Sequence, residues 1–325
     1  MDTDNNNGNG NTPLLLPGPH HDAHQAPPPH IRALHKLHQK AAPFSSSIVD
    51  LSLPNLPPHV RTEDCIPSST ALSAFTAFTS TPSAPLPDIP VYILPHIPGI
   101  QLIPNLLPPH VQKTLLHRLL FRDLSLSYNT TNLHAHYSLP PLPASQSFFD
   151  LPPSTPLRPL TEATKPLTTA GMLDRKLRWM TLGGQYNWTQ KKYPLTIPPL
   201  FPDDIASLVS ALFGISSQAA IVNVYSPGDT LSPHRDVAEE CSAPLVSLSL
   251  GCDALFLVGD DVNEDVVRVR SGDAIVMSGE GRWAWHSVPK VLKGTCPAWL
   301  AEWPEKRRGW MAGKRVNLNI RQMWD

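Results

Sequence analysis

Cysteine is scarce in this sequence: Cys65, Cys241, Cys252 and Cys296 are all that 325 residues hold, and no two form a CxxC pair. That excludes a disulfide framework and suits isolated, reduced thiols in an intracellular protein. An excess of one charge is also missing, the formal net charge being -1. Overall charge therefore predicts no nucleic-acid partner, and any such partner has to be met by a local basic surface. No stretch approaches the ~20 apolar residues of a membrane span. Near the N-terminus the apolar run Leu14 to Leu16 is closed by Pro17 and follows no cationic segment, so a secretory signal is not expected. A mitochondrial presequence is disfavoured too, because Asp2 and Asp4 come early and the first arginine is Arg32. The expectation is a soluble protein of the nucleus or cytoplasm, taken as a monomer, with no membrane partner.

Proline, by contrast, is abundant, at 38 of 325 residues against a usual ~5 %. Residues 1–90 are expected to be a low-complexity, disordered N-terminal region. His20, His21, His24, His30, His35 and His38 crowd there. A metal-binding tract is one reading of them; a disordered tail is preferred, because nothing in the segment can bury a core. Residues 61–90 have room for one short helix. The folded domain is expected over 91–325, with its catalytic core at 177–325.

The pattern condenses near Val91, where aliphatic and β-branched residues broken by proline suggest a leading strand. Beyond Pro108-Pro109, apolar positions Val111, Leu115, Leu116, Leu119 and Leu120 recur at helical spacing. Residues 129–168 read as a long irregular loop. Residues 202–213 read as a helix, with acids in the first turn and Gly214 past its end. From Leu177 onward short strands alternate with turns: Ala220–Tyr225, Leu245–Leu250, Ala254–Val258, Val266–Arg270, Ala274–Met277 and Val316–Gln322. The class is mainly β with flanking helices, a sandwich or barrel.

Two short motifs carry chemistry. In Ser-Pro-His234-Arg-Asp236, side chains at i and i+2 of an extended segment point to one side and reach one ion. His286, in Trp-Ala-Trp-His-Ser, follows Asp236 by 50 residues. A rolled double sheet can return it to the same ion. Two histidines and one carboxylate on one face of an octahedron leave three positions open, as in non-haem Fe(II) oxygenases. The tripeptide alone decides little, since it arises by chance and zinc accepts the same ligands.

The second motif is Arg315-Val-Asn-Leu-Asn-Ile-Arg321. At period 2, Arg315, Asn317, Asn319 and Arg321 share a face. An ordinary half-exposed strand would look the same. The strand ending in Asn223 and Tyr225 changes the balance, since mid-strand asparagine is disfavoured and this one immediately precedes the His-x-Asp turn. A polar-lined barrel interior explains both strands. A dicarboxylate bound there needs a planar cation that grips it with two parallel bonds.

The segments NVYSPGDTLSPHRD, PLVSLSLGCDALFLVG, VRSGDAIVMSGEGRWAWHSVP and RVNLNIRQ together resemble the AlkB family of 2-oxoglutarate dioxygenases. RWMTLGGQYNWTQKKYP is similar to its eukaryotic homologue 1 branch. The resemblance runs from Leu177 to the C-terminus, with a weaker stretch near Pro98. It implies a double-stranded β-helix (jelly roll) core and iron ligands His234, Asp236 and His286. It also implies 2-oxoglutarate contacts at Asn223, Tyr225, Arg315 and Arg321, with Asn317 lining the site. Fe(II), 2-oxoglutarate and O2 are the implied cofactor set. The implied reaction is oxidative demethylation of methylated bases in DNA or RNA, tRNA included, with loss of formaldehyde. Two departures stand out. Some base-repair members carry an acid two residues after the ligand aspartate, where this chain has Ala238. The 29 residues from His286 to Arg315 exceed the bacterial spacing, and the extra segment is expected to loop over the site mouth.

Aromatic and basic residues interleave at Lys176, Arg178 and Trp179, at Tyr186, Trp188, Lys191 and Lys192, and at Lys306 to Trp310. Stacking plus phosphate neutralisation is how flexible strands are held, so Trp179, Tyr186 and Trp188 are the candidate substrate residues and a nucleic acid the candidate partner. The alternatives are a protein hydroxylase or demethylase on the same site, a silent nucleic-acid-binding scaffold, and a zinc hydrolase that would leave both arginines unexplained.

Overall fold

The computed structural model describes residues 22, 24–40, 47–188, 190–194, 196–239 and 241–324. In chain order the strands are β1 Ile48–Val49, β2 Arg61–Ile66, β3 Ile89–Ile93, β4 Ile100–Ile103, β5 Tyr137–Ser138, β6 Pro156–Pro159, β7 Leu167–Thr168, β8 Trp179–Gly183, β9 Ala219–Tyr225, β10 Leu231–His234, β11 Leu245–Gly251, β12 Ala254–Gly259, β13 Glu264–Val269, β14 Ala274–Met277, β15 Trp285–Val291 and β16 Arg315–Arg321. The longer helices are α1 Pro29–Lys40, α2 Ser68–Thr79, α3 Pro109–His117 and α4 Asp203–Phe213. An eight-stranded sheet runs β2-β3-β4-β14-β11-β16-β9-β8, and a five-stranded sheet runs β1-β13-β12-β15-β10. Among described residues β1 pairs parallel with β13 and every other sheet neighbour is antiparallel. The two sheets pack face to face as a double-stranded β-helix, with flanking helices.

Strand alternation decides the layers. In β16, Val316, Leu318 and Ile320 are fully buried and pack outward with Val246, Leu248 and Leu250 of β11 against α2, α3 and α4. Full burial of each such side chain is worth about 1.5–3 kcal/mol. Helix α4 starts with Asp203 and Asp204, whose charges suit its N-terminus, and stops at Gly214 in a left-handed cap. The opposite face of the large sheet is polar near β16 and apolar near β14, where Ile275 and Met277 meet Phe256, Val258 and Val267 of the small sheet. Gly251 ends β11 with φ 91°, and a Cβ there would come within 2.3 Å of the Lys314 carbonyl. Only glycine fits this approach, which sets the register of Gly251 opposite Arg315.

Three expectations are corrected. Over the described residues from Pro29 to Pro90, the chain is folded: β2 pairs with β3, α2 buries Phe75 and Phe78, and Ile31 of α1 packs on the outer face of the small sheet with Leu255, Leu257 and Trp285. The few apolar residues in that stretch suffice because the sheets supply the rest of the surface. Residues 1–21, with His20 and His21, lie outside the described residues. The 129–168 stretch is not wholly irregular, since β5, β6 and β7 form a small separate sheet. The segment before Arg315 does not cover the site mouth. Its Trp303 and Trp310 pack against Phe121 and Phe149 on the helical side, and Trp310 Nε1 donates to the Leu173 carbonyl. The basic residues there are engaged locally, Lys306 with Asp150 and Arg307 with Asp174.

Candidate active site and metal centre

Antiparallel pairing of β10 with β15 places His234 directly opposite His286. Their ring centroids are 4.3 Å apart, as suits the close approach of facing side chains across a strand pair. Asp236 lies two residues beyond the end of β10, with Oδ1 3.8 Å from His234 Nε2 and Oδ2 3.7 Å from His286 Nε2. Ligand atoms of all three residues lie within 4.8 Å of one another. Each imidazole directs Nδ1 at a backbone carbonyl, His234 at Ser232 (2.9 Å) and His286 at Ala284 (3.1 Å). Donation from Nδ1–H leaves both Nε2 lone pairs for an ion, the orientation typical of metal-binding histidines. Burial, then the neighbouring His234, pushes the His286 pKa down to about 3, so the ring is neutral. Burial alone would raise the Asp236 pKa. The Arg321 guanidinium, with the two histidines, overrides it and holds the carboxyl well below the usual range.

The polar face of β16 turns inward beside this triad. Arg321 Nη2 donates to Asp236 Oδ2 at 2.7 Å, and Asn319 Nδ2 lies 3.2 Å from the same oxygen. At the far end of the strand, Arg315 is 2 % exposed and lies over the Tyr225 ring, 5.3 Å from its centroid. Its Nη2 donates to Ser249 Oγ at 3.0 Å. Nε and Nη1 of Arg315 and the Tyr225 hydroxyl are buried without a protein partner. Buried polar groups are ordinarily satisfied, so this cluster has the character of a binding site for an anion. Asn223 faces Asn317 across the β9–β16 pair, and the Asn317 amide donates to Ser247 Oγ and the Leu248 carbonyl. The donor set therefore fits a metal at one end and a carboxylate at the other.

A cavity of about 400 Å³ opens over His234 and Asp236, lined also by Tyr186, Trp188, Asn223 and Arg321 among others. Trp179, Trp188, Tyr186 and Tyr193 form a contiguous ladder, with successive ring centroids 5.1, 4.9 and 5.2 Å apart. The ladder ends on Arg321, whose Nη1 donates to Tyr193 Oη at 3.0 Å. Within the ladder Trp188 is 44 % exposed. The third basic-aromatic cluster does not join this surface, for the packing reasons given above. Sequence reasoning missed Tyr193, Glu239 and Arg282. Glu239 and Arg282 form a buried ion pair at 2.8 Å beside Arg321, a contact between two loops 43 residues apart that no sequence period signals.

A jelly roll with a His-x-Asp…His triad and an inward arginine defines the class of 2-oxoglutarate-dependent Fe(II) dioxygenases. A profile of the 2OG-Fe(II) oxygenase superfamily matches residues 99–321. The N6-methyladenosine RNA demethylase ALKB1 of Pyricularia oryzae is 42% identical over 93% of this chain and 97% of its own length. The N6-methyladenosine RNA demethylase ALKBH of Cryphonectria parasitica is 48% identical over 59% of this chain and all of its own. The tRNA demethylase abh1 of Schizosaccharomyces pombe is 37% identical over 72% of this chain and 82% of its own. The chain belongs to the 2OG-Fe(II) oxygenase superfamily, within its AlkB homologue 1 branch. It is a dioxygenase that uses Fe(II) and 2-oxoglutarate. No described helix is long and apolar enough to cross a membrane.

Proposed function

We propose that the protein oxidatively demethylates methylated bases in RNA, with N6-methyladenosine the leading substrate and tRNA the next, in the nucleus or cytoplasm. His234, Asp236 and His286 hold Fe(II). Arg315 grips the far carboxylate of 2-oxoglutarate with Tyr225, while Asn223, Asn317 and Arg321 complete its cradle. The buried, unpartnered guanidinium edge of Arg315, on the strand whose other end ties down Asp236, carries this reading. Fe(II) with 2-oxoglutarate and O2 supplies the oxidising power that hydroxylates an N-methyl carbon, after which formaldehyde is lost.

The protein's own part is to hold and to orient. Arg321 keeps Asp236 ionised. The two Nδ1–H bonds to backbone carbonyls fix both imidazoles with Nε2 inward. The cavity of about 400 Å³ is of a size that encloses a small planar ligand such as a nucleobase. Tyr186 and Trp188 offer stacking faces in that cavity, which Lys191 also lines, and Trp179 packs against Trp188. Because Ala238 stands where some relatives carry an acid, and Glu239 is taken up by Arg282, base selection rests on stacking and shape. The exposed Trp188 and its neighbours at the cavity favour a nucleic acid over a protein substrate.

The test is incubation with Fe(II), 2-oxoglutarate and a panel of N6-methyladenosine RNA, methylated tRNA, 6-methyladenine DNA and methylated histone peptides, read by mass spectrometry. Methyl loss from RNA is the expected result. Turnover of the peptides alone would overturn the proposal.

A further inference from the structure

Asp236 sits at the start of a loop running to Ala243 in which the described residues carry no strand or helix. Its own backbone pairing therefore cannot hold the carboxylate beside His234 and His286. One buried side chain spans that loop. Arg282, 1 % exposed, lies in the short turn Gly279–Trp283 that leads into β15 and His286. Its Nη1 donates to the Asp236 backbone carbonyl at 2.8 Å, its Nε to the Ala243 carbonyl at 3.2 Å, and its Nη2 to Glu239 Oε2 at 2.8 Å. The planar guanidinium thus touches the start, middle and end of the loop, which a lysine ammonium cannot do in this geometry.

We propose that Arg282 is the positioning residue that sets the metal affinity of the site, by tethering the Asp236 backbone to the turn that delivers His286. The charges around it are balanced. Asp236, Arg321, Glu239 and Arg282 alternate in sign, with successive contacts of 2.7, 3.4 and 2.8 Å. Loss of Arg282 leaves Glu239 uncompensated in the interior, where it competes with Asp236 for Arg321. Two effects are then mixed, a lost tether and a charge imbalance. The double replacement R282M/E239Q separates them, because it removes the tether while keeping the interior neutral, and E239Q alone reports the loss of the Glu239–Arg321 contact.

The inference rests on the reading of His234, Asp236 and His286 as metal ligands. The readout is calorimetric titration with Mn(II), an oxygen-stable stand-in for Fe(II), together with the melting temperature of chelator-treated protein. Both R282K and R282M/E239Q are expected to bind Mn(II) ~10–100-fold more weakly than the parent, as replacement of outer-sphere partners of metal ligands usually does. The metal-free double variant should melt close to the parent while its metal-induced rise in melting temperature shrinks. E239Q alone should keep most of the affinity, since both backbone tethers survive. Parent-like Mn(II) binding by a folded R282M/E239Q protein would overturn the proposal. So would a loss in E239Q as large as that in R282K. Should neither Arg282 variant fold, E239Q decides: retained affinity supports the tether and lost affinity contradicts it. Triad variants that still bind Mn(II) would instead refute the ligand assignment beneath it.

Discussion

Replacing Arg315 with methionine separates what the proposed 2-oxoglutarate face does from what it costs. The guanidinium is 2 % exposed, and the protein satisfies its Nη2 but neither Nε nor Nη1. Burial pushes its pKa down, which expresses the expense of keeping a cation there. A hydrogen bond to a charged group is worth about 1.5–3 kcal/mol, so two parallel bonds to a carboxylate supply ~3–6 kcal/mol, or ~10²–10⁴-fold in affinity. Arg315→Met should therefore raise the KM for 2-oxoglutarate by that factor, and calorimetric titration of 2-oxoglutarate into Mn(II)-loaded protein should show the same loss. Arg315→Lys keeps the charge without the fork and should recover only part of it. The metal-free variant should melt no lower than the parent, because methionine fills similar space and leaves no buried charge unpaired. Parent-like 2-oxoglutarate binding by Arg315→Met would refute the reasoning. So would a fall of many degrees in the metal-free melting temperature, which would make Arg315 a structural residue.

Trp188→Ala removes the exposed stacking face at the cavity. At ~1–3 kcal/mol per stacked base, the KM for methylated RNA should rise ~5- to 100-fold with the KM for 2-oxoglutarate unchanged; steady-state kinetics on an RNA oligonucleotide checks this, and equal effects on both would contradict it. Asp50 gives a pH signature. Burial raises its pKa, but hydrogen bonds from Arg270 and Ser52 outweigh burial and lower it to about 2. A depressed carboxylate stabilises the fold above its unfolded pKa and loses that contribution as pH falls through the folded value. Asp50→Asn should thus cost about 2 kcal/mol near neutrality, and denaturation curves of parent and variant should converge between pH 4 and 2. A gap that keeps its neutral-pH size down to pH 2 would contradict the assignment.

The parts of the site that obey strand periodicity could be read directly. Arg315, Asn317, Asn319 and Arg321 do share the inward face, and Asn223 and Tyr225 lie across from them. His234 and His286 were linked through motif spacing and resemblance, and the β10–β15 register makes them neighbours. Arg282 and Glu239 were illegible because their contacts come from loops with no period, joining residues 39 to 46 apart. Composition misled at both ends of the chain. The proline- and histidine-rich stretch hides α1, whose Ile31 and His35 find partners only on the finished sheet, His35 Nδ1 lying 2.9 Å from Ser287 Oγ. The tryptophans before Arg315 suggested a surface for stacking, yet Trp310 is buried against Phe149, since large aromatics gain most by joining an existing core.

The central claim is that one triad and one inward arginine-bearing strand form a working Fe(II) and 2-oxoglutarate site. Succinate and formaldehyde release from N6-methyladenosine RNA, measured for the parent and for the double variant His234→Ala with Asp236→Ala, tests it most directly. The account predicts that the parent forms both products mole for mole when Fe(II) and 2-oxoglutarate are supplied, and that the folded double variant forms neither. Succinate formation that survives in the double variant would contradict it.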